Sequence, residues 1–345
     1  MPLMLDEIYE QPSAIANAIE RNITPVAALA NALHEQGIRH IVIAARGTSD
    51  HAATYAKYLL EIVCKVPVTL AAPSVTTLYD AQVNLSGCLV LGISQSGQAT
   101  DVVQTLSAAR SSGALTACIT NKEGSPLTEV SDHVMLCSAG EERSVAATKT
   151  YTTTLAIIAL LAAQWSNDTG LREGLRTVPD AIQAALSLSE PIAETVQRYR
   201  YMEECAVLAR GLNQATALES ALKMIETSYL LAKAYSMADF LHGPIAMVSE
   251  GFPCLLYAPN GRAYPSMVEL ALKLKEKNAE IVVFARAKEI QEIATRAFTV
   301  PVDIDERLSP LLYIVPGQLW ACHLAVARGH NPDKPRGLSK VTLTR

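Results

Sequence analysis

The sequence contains few aromatic residues and lacks the short motifs that mark several common functions. Phe, Trp and Tyr make up 5% of its 345 residues. It has no GxGxxG loop and no GxxxxGKS or GxxxxGKT loop, which argues against a nicotinamide dinucleotide or a nucleoside triphosphate. The seven histidines form no HxxxH or HxH pair, and no acidic segment has EF-hand spacing. We therefore predict no metal and no other cofactor.

Basic clusters and paired cysteines are also missing. The net charge is −5, and no cluster of Lys and Arg could neutralise several phosphates, so nucleic acid is not an expected partner. The seven cysteines occur singly, as expected for reduced core residues of a cytoplasmic protein. The N-terminus carries acids where a signal peptide carries bases, and the apolar segment 155–163 is too short to span a bilayer. No membrane association is expected.

Short β-rich segments alternate with helical patterns, and this order occurs twice. A strand, a glycine turn and a helix surround Gly47 and again Gly97, and the same order recurs 164 positions later at Gly211 and Gly261. Two units that share one offset indicate a duplicated domain of βα units. Further strands are predicted in ALTACIT, HVMLC, EIVVFA and AFTVPV.

The predicted fold class is α/β, with two tandem doubly wound, flavodoxin-like parallel sheets. The predicted segments are an N-terminal helical segment (1–24), a first domain (25–170), a helical connector (171–197), a second domain (198–330) and a C-terminal tail (331–345). Gly170, Gly174 and Pro179 are expected to interrupt the helices of the connector.

The segment GISQSGQATDVV (92–103) predicts a strand, a hydroxyl-rich loop and the start of a helix. Glycine, serine hydroxyls and unpaired helix amides together suit an anion, so phosphate is the expected ligand. A serine-rich turn without a ligand is the alternative. The matching loop of the second repeat, Pro259–Tyr264, has lost the serines. That loop is the place where we expect any second metabolite site.

Six motifs occur in the order found in sugar-phosphate isomerases with two SIS domains: ARGTS, SQSG, AGEERSVAATKTYT, ALKMIETSY, FLHGP and NPDKPRGLSKVTLTR. Over nearly its whole length the chain resembles the isomerase half of glutamine–fructose-6-phosphate aminotransferases. The chain opens Met1-Pro2 with no amidotransferase half and no cysteine after Met1. We therefore expect that glutamine is not the nitrogen source. The segments RGTSDHAATYAKYLLE, AAPSV and ARGHNPDKPRGLSKVT are more similar to glucosamine-6-phosphate deaminases of the SIS type.

The resemblance implies a set of residues that bind the sugar phosphate. Ala99 stands where the family has a threonine, so one phosphate hydroxyl is lost or Thr100 substitutes for it. Ala147 replaces a family serine, which is expected to leave the backbone of Val145 as the contact. The implied binding residues are Gly47, Thr48, Ser49, Ser94, Gln95, Ser96, Thr100, Val145, Ala147 and Ser339.

The resemblance also implies catalytic residues. Glu226 matches the base that moves a proton between C2 and C1, and Lys223, three residues earlier, would hold it or stabilise the enolamine. His242 matches the residue that opens the sugar ring and that a neighbouring subunit supplies, so a homodimer is expected. Lys340 matches a lysine that forms a Schiff base with the ketose, and Glu142 lies in the loop matching the substrate lid.

Each of these residues also has a structural alternative: a solvated helix glutamate, a surface Lys–Glu pair, a structural histidine and a solvated tail lysine.

Taken together, these features predict an enzyme that converts glucosamine 6-phosphate into fructose 6-phosphate and ammonia. One alternative is an isomerase or deglycase that acts on another amino-linked sugar phosphate. A sugar-phosphate sensor without catalysis is the other.

Overall fold

The structure, a computed structural model, describes residues 1–340, so residues 341–345 of the predicted C-terminal tail lie outside the described residues. The chain divides into two compact units. The first unit comprises residues 13–142 and 149–176 and the chain from Ser339. The second unit comprises residues 1–12, 143–148 and 177–338. Each unit contains one parallel sheet.

The strands are short apolar runs, most of them buried on both faces, as a parallel sheet covered by helices requires. Those of the first sheet are β1 (Ile41–Ala44), β2 (Val68–Leu70), β3 (Leu89–Ile93), β4 (Leu115–Thr120) and β5 (His133–Leu136). Those of the second are β6 (Glu204–Ala209), β7 (Leu231–Ser236), β8 (Pro253–Ala258), β9 (Glu280–Ala285) and β10 (Arg296–Thr299).

The two sheets have the same winding. Their strand orders are β2-β1-β3-β4-β5 and β7-β6-β8-β9-β10, and every pairing is parallel. This is the flavodoxin-like order, which places a ligand crevice between the first and third strands of each sheet. The predicted fold class is confirmed.

Fourteen α-helices accompany the sheets in the described part of the chain. They are α1 (Leu3–Tyr9), α2 (Gln11–Glu35), α3 (Thr48–Val63), α4 (Ser74–Thr77), α5 (Thr100–Ser111), α6 (Pro126–Glu129), α7 (Lys149–Trp165), α8 (Thr169–Ala185), α9 (Ser189–Thr195), α10 (Gln214–Ser228), α11 (Met237–Leu241), α12 (Tyr264–Glu276), α13 (Lys288–Ile293) and α14 (Ser309–Ala327).

The helices preserve the repeat that the glycines indicated. Helix α5 begins at Thr100 and α12 begins at Tyr264, 164 positions later, and each follows the third strand of its sheet. Gly97 and Gly261, which precede these helices, both have positive φ angles, +64° and +142°. Both repeats therefore turn from strand to helix at the same glycine.

The predicted interruption at Gly170, Gly174 and Pro179 is wrong, because α8 runs continuously from Thr169 to Ala185. Leu171, Leu175, Val178 and Ile182 recur at helical spacing, and each is at most 1% exposed. Burying such a stripe outweighs the roughly 3 kcal/mol that an internal proline costs a helix.

Two apolar helices have buried side chains. Nearly all of α7 is buried, as predicted for segment 155–163. Among the described residues, Glu306–Ala327 is the one helical stretch long and apolar enough to cross a membrane, and 83% of its most apolar window is buried within the protein. This burial is typical of a core helix. Helix α14 packs on α10, where a side chain at Gly317 would collide with Ser220 and Tyr257.

All seven cysteines are free thiols, and five of them are buried, as predicted. Cys64 and Cys88 are half-buried instead. Burial raises the pKa of Cys118 and Cys137 to about 11, so these thiols stay protonated near neutral pH.

Candidate functional site

The crevice of the first sheet lies between the loops that follow β1 and β3. These strands are hydrogen-bonded neighbours, so the loops at Arg46–Ser49 and Ser94–Ala99 open at the same edge. The ordering of strands in this fold puts ligands there. The sequence motifs ARGTS and SQSG thus lie at one location in the first unit.

Main-chain hydrogen bonds fasten the loop Ser94–Ala99 to the end of β4. The Ser94 N–H donates to the Ile119 carbonyl at 3.1 Å, and the Asn121 N–H donates to the Gln95 carbonyl at 3.0 Å. The hydroxyl oxygen of Ser96 accepts from the Gln98 N–H at 3.2 Å, which leaves the hydroxyl proton available to a ligand. The loop is therefore shaped before any ligand binds.

Gly97 fills a position that no side chain could occupy. Its φ is +64°, and a Cβ atom there would collide with the side chain of Ser125. The glycine thus lets the loop turn sharply and approach its neighbour closely.

Arg46 of the first loop pairs with Asp101 in the first turn of α5, a contact that sequence reasoning missed. The Arg46 Nε donates to Asp101 Oδ2 at 2.6 Å, and Asp101 is 1% exposed. Asp101 Oδ1 also accepts the Val102 N–H at 2.9 Å. The Arg46 side chain remains 49% exposed, so a cation lies at the crevice and is partly balanced by a buried carboxylate. The first-turn acid of α5 was the one available signal.

A pocket of about 390 Å³ opens at the carboxyl ends of β3, β4 and β5 in the first unit. It brings the predicted residues Gln95, Ser96 and Lys340 together with Glu142. Its remaining lining residues are Gln98, Asn121, Lys122, Gly140 and Glu141. The lining includes hydroxyl, amide and ammonium donors, a combination suited to an oxygen-rich anionic ligand, together with the carboxylates of Glu141 and Glu142.

Lys340 is not the solvated tail lysine of the alternative interpretation. Its Nζ lies 2.8 Å from Glu142 Oε2, and the Glu142 side chain is 0% exposed. Glu142 also accepts from the Thr150 N–H at 3.1 Å and from the Thr150 hydroxyl at 2.7 Å. A buried, fully bonded carboxylate therefore fixes the direction of the lysine amine.

The other predicted binding residues do not line this pocket. Thr48 and Ser49 begin α3 after Gly47, Thr100 begins α5, Ser94 is buried at the end of β3, and Ser339 is exposed. Val145 and Ala147 belong to the second unit. The Val145 N–H donates to the Asp333 carbonyl at 3.1 Å, so a backbone contact from Val145 to a ligand would use its carbonyl.

Helix α10 of the second unit carries three charged residues that contact one another: Glu219, Lys223 and Glu226. The Nζ of Lys223 lies 2.7 Å from Glu226 Oε2 and 3.2 Å from Glu219 Oε1. The side chains of Lys223 and Glu219 are 0% exposed, and that of Glu226 is 21% exposed. The alternatives of a solvated glutamate and a surface pair are therefore wrong.

Lys223 acts as a permanent cation. Burial by itself would lower the pKa of Lys223, but the two neighbouring carboxylates outweigh burial and raise it well above its usual range. Such an ammonium group cannot exchange protons near neutral pH. Its available role is to hold the Glu226 carboxylate, whose exposed part remains open to a ligand.

His242 follows α11 as its C-cap and is exposed, and Gly243 comes next with a φ of +150°. The glycine allows the chain to turn sharply directly after the histidine. An exposed imidazole at a turn is accessible to other molecules.

The loop of the second repeat is occupied by the protein's own carboxylate. Glu306 accepts from the Arg262 N–H at 2.8 Å and from the Ala263 N–H at 3.1 Å, next to Gly261. Arg262 and Ala263 stand 164 positions after Gln98 and Ala99. Glu306 thus occupies two of the backbone amides in the loop Pro259–Tyr264, where a second metabolite site was expected.

Comparison with known proteins agrees with these observations. The family model of the SIS domain matches residues 35–164 and 203–328. Glutamine–fructose-6-phosphate aminotransferases of Pyrococcus horikoshii and Thermococcus kodakarensis are 36% and 35% identical over 98% of the chain. The chain spans 57% of the length of these relatives.

Solved structures share the fold. A candidate phosphosugar isomerase from Silicibacter pomeroyi DSS-3 is 36% identical, with a TM-score of 0.88 over 96% of this chain and 100% of its own. The C-terminal domain of the Francisella tularensis glucosamine–fructose-6-phosphate aminotransferase is 29% identical, with a TM-score of 0.87 over 96% and 98% of the two chains. The glucosamine-6-phosphate deaminase of Thermotoga maritima is 23% identical, with a TM-score of 0.79 over 99% and 100%, which shows the fold alone.

The protein has two flavodoxin-like sheets, and a hydroxyl-rich loop lies at the crevice of the first sheet. Together with the match to the SIS-domain model, these features define a duplicated α/β protein of the sugar-phosphate isomerase class. The chain belongs to the SIS-domain family, with two copies of the domain. It is homologous to the isomerase domain of glutamine–fructose-6-phosphate aminotransferase.

Replacing Gly97 by alanine tests the close approach to Ser125. A left-handed alanine costs about 1 kcal/mol of unfolding free energy, and the collision adds roughly 1–3 kcal/mol. Gly124→Ala is the matched control, because Gly124 has a φ of +65° and open space around it. Urea unfolding should show the larger loss for Gly97→Ala; equal losses would contradict the tight packing.

Removing the cation between Glu219 and Glu226 should destabilise the second unit. Lys223→Met is expected to lower the unfolding free energy by about 3–5 kcal/mol, since it leaves two carboxylates around an apolar side chain. The control is Lys273→Met, which breaks an exposed Lys–Glu pair of the same spacing as Glu219–Lys223 and should cost less than about 1 kcal/mol. Similar losses in thermal unfolding would contradict the buried triad.

Proposed function

We propose that the chain binds the phosphate of an amino sugar phosphate in the loop Ser94–Thr100. The observation that carries this proposal is the bound Glu306 carboxylate in the matching loop of the second repeat. The first loop repeats the glycine turn and the following helix and contains Ser94 and Ser96. Gln98 and Ala99 stand at the positions of the two matching amides, of which the Gln98 N–H donates to the Ser96 hydroxyl oxygen. A loop built this way binds an anion through its backbone.

Glu226 is proposed as the base that moves the proton from C2 to C1 of the open-chain sugar. A carboxylate can take a proton from one carbon and return it to its neighbour when its position is fixed. Lys223 fixes one oxygen of Glu226, and part of the side chain remains exposed. This arrangement supports a base rather than a structural ion pair.

His242 is proposed to open the ring by passing a proton to the ring oxygen, in a homodimer whose partner subunit supplies it. Its exposure after α11 is compatible with that role. Lys340, fixed by Glu142 in the pocket with Ser96, is proposed to contact the substrate.

The proposed overall reaction converts glucosamine 6-phosphate and water into fructose 6-phosphate and ammonia. After ring opening, one proton moves from C2 to C1 and another from the nitrogen to O1, which converts the amino aldose into a 1-hydroxy C2 imine. Water adds to C2, and the C2–N bond of the resulting carbinolamine breaks to release ammonia, leaving the ketone. We place this activity in the cytoplasm, where the free cysteines would remain reduced.

We propose the direction that releases ammonia because the sequence resembles deaminases at the N-terminus of α3 and in the segment before Lys340. The aminotransferase relatives favour a second candidate: isomerisation between aldose and ketose 6-phosphates without release of ammonia. Both candidates use the same phosphate loop and the same base, so they differ in whether nitrogen leaves C2.

Release of ammonia and fructose 6-phosphate from glucosamine 6-phosphate, without glutamine, tests the proposal. Equal amounts of both products are expected. Glu226→Gln should bind the substrate but lower turnover by about 10³-fold or more, since it removes the base. Glu269→Gln, on the exposed surface of α12, is the control and should behave as the wild type.

The same assay separates the alternatives. Interconversion of glucose 6-phosphate and fructose 6-phosphate without ammonia would support the isomerase. A rise in melting temperature with glucosamine 6-phosphate but no turnover would support a sensor and contradict the enzymatic proposal. Full turnover by Glu226→Gln would remove Glu226 from its role.

A further inference from the structure

Tyr229 adopts a backbone conformation that a glycine would adopt more easily. It follows α10 directly, with φ 57° and ψ 32°, the left-handed conformation that ends many helices. Its N–H donates to the Ile225 carbonyl at 3.2 Å, so the backbone serves as a helix cap. A tyrosine here is strained, and capping alone would favour glycine. What tyrosine adds over glycine at this position is the contacts of its ring.

The tyrosine ring holds the segment that follows α14. The ring centroids of Tyr229 and His330 are 4.8 Å apart, and the Arg336 guanidinium carbon lies 4.1 Å from the Tyr229 centroid. The Arg336 N–H also donates to the Tyr229 hydroxyl at 2.9 Å. Three different contacts thus fasten one side chain to residues 330–336.

This contact lies close in sequence to two proposed site residues. Tyr229 is three residues beyond Glu226, and Arg336 is four residues before Lys340. Four residues span at most about 14 Å of extended chain, so holding Arg336 limits where Lys340 can lie. A second tie supports the segment, because the Asp333 carboxylate accepts from the N–H groups of Leu3 and Met4 at 2.9 and 2.8 Å.

We propose that Tyr229 is a positioning residue that clamps the segment 330–336 and thereby presents Lys340 to the substrate. It touches no reacting atom and acts through Lys340. The kinetic part of this inference rests on the proposed function, whereas the clamp itself does not.

Tyr229→Gly tests the clamp, because glycine keeps the left-handed cap and removes the ring. In hydrogen exchange, the amides of 330–338 should exchange about tenfold faster in Tyr229→Gly than in the wild type, as loss of a cation–π contact and a hydrogen bond implies. Tyr229→Phe keeps both ring contacts and should show a smaller change. Unchanged exchange in Tyr229→Gly would overturn the clamp, whatever reaction the protein catalyses.

Kinetics then test positioning. Tyr229→Gly should lower kcat/KM for glucosamine 6-phosphate about tenfold in the wild-type background. In a chain that already carries Lys340→Ala, it should have no further effect, because the residue that it positions is gone. An equal loss in both backgrounds would mean that Tyr229 supports the fold rather than Lys340, and would overturn the proposal.

Discussion

The amide groups at the start of the helix after each sheet's third strand attract an anion, and the two repeats satisfy them differently. In the second repeat, Glu306 supplies a carboxylate to the amides of Arg262 and Ala263. In the first repeat, the Ser96 hydroxyl oxygen accepts from the Gln98 N–H, and a pocket lies beside these two residues. Duplication thus gave two loops of one design: Glu306 occupies the second, and the first is the loop proposed to bind phosphate.

The charged groups around the proposed chemistry are held by buried partners rather than left in solvent. Lys223 forms ion pairs with Glu219 and Glu226, and Lys340 forms an ion pair with Glu142. Burying a charge in this way costs desolvation free energy, but it holds the charged group in one position. Transfer of a proton between adjacent carbons requires such a fixed position.

Local patterns in the sequence were sufficient for the strands, the repeat and the glycine turn, because these depend on residues close along the chain. They predicted the loop at Gly97 and the start of α5. They failed wherever a distant residue decides the outcome. Glu306 lies more than forty residues from the loop that it fills, and the Arg46–Asp101 pair joins separate βα units. The helical spacing of the apolar stripe of α8 can be read from the sequence, but its burial, which keeps the helix continuous through Pro179, depends on distant packing.

Comparing Ser96→Ala with Asn260→Ala, the two positions that the repeat makes equivalent, tests directly whether the first loop binds the phosphate. Fructose 6-phosphate binding measured by titration calorimetry should give one site per chain. Ser96→Ala should weaken that binding by about tenfold through loss of a hydroxyl donor to a charged group, and Asn260→Ala should leave it unchanged. Two sites per chain, or weaker binding in Asn260→Ala alone, would contradict the division of roles between the loops.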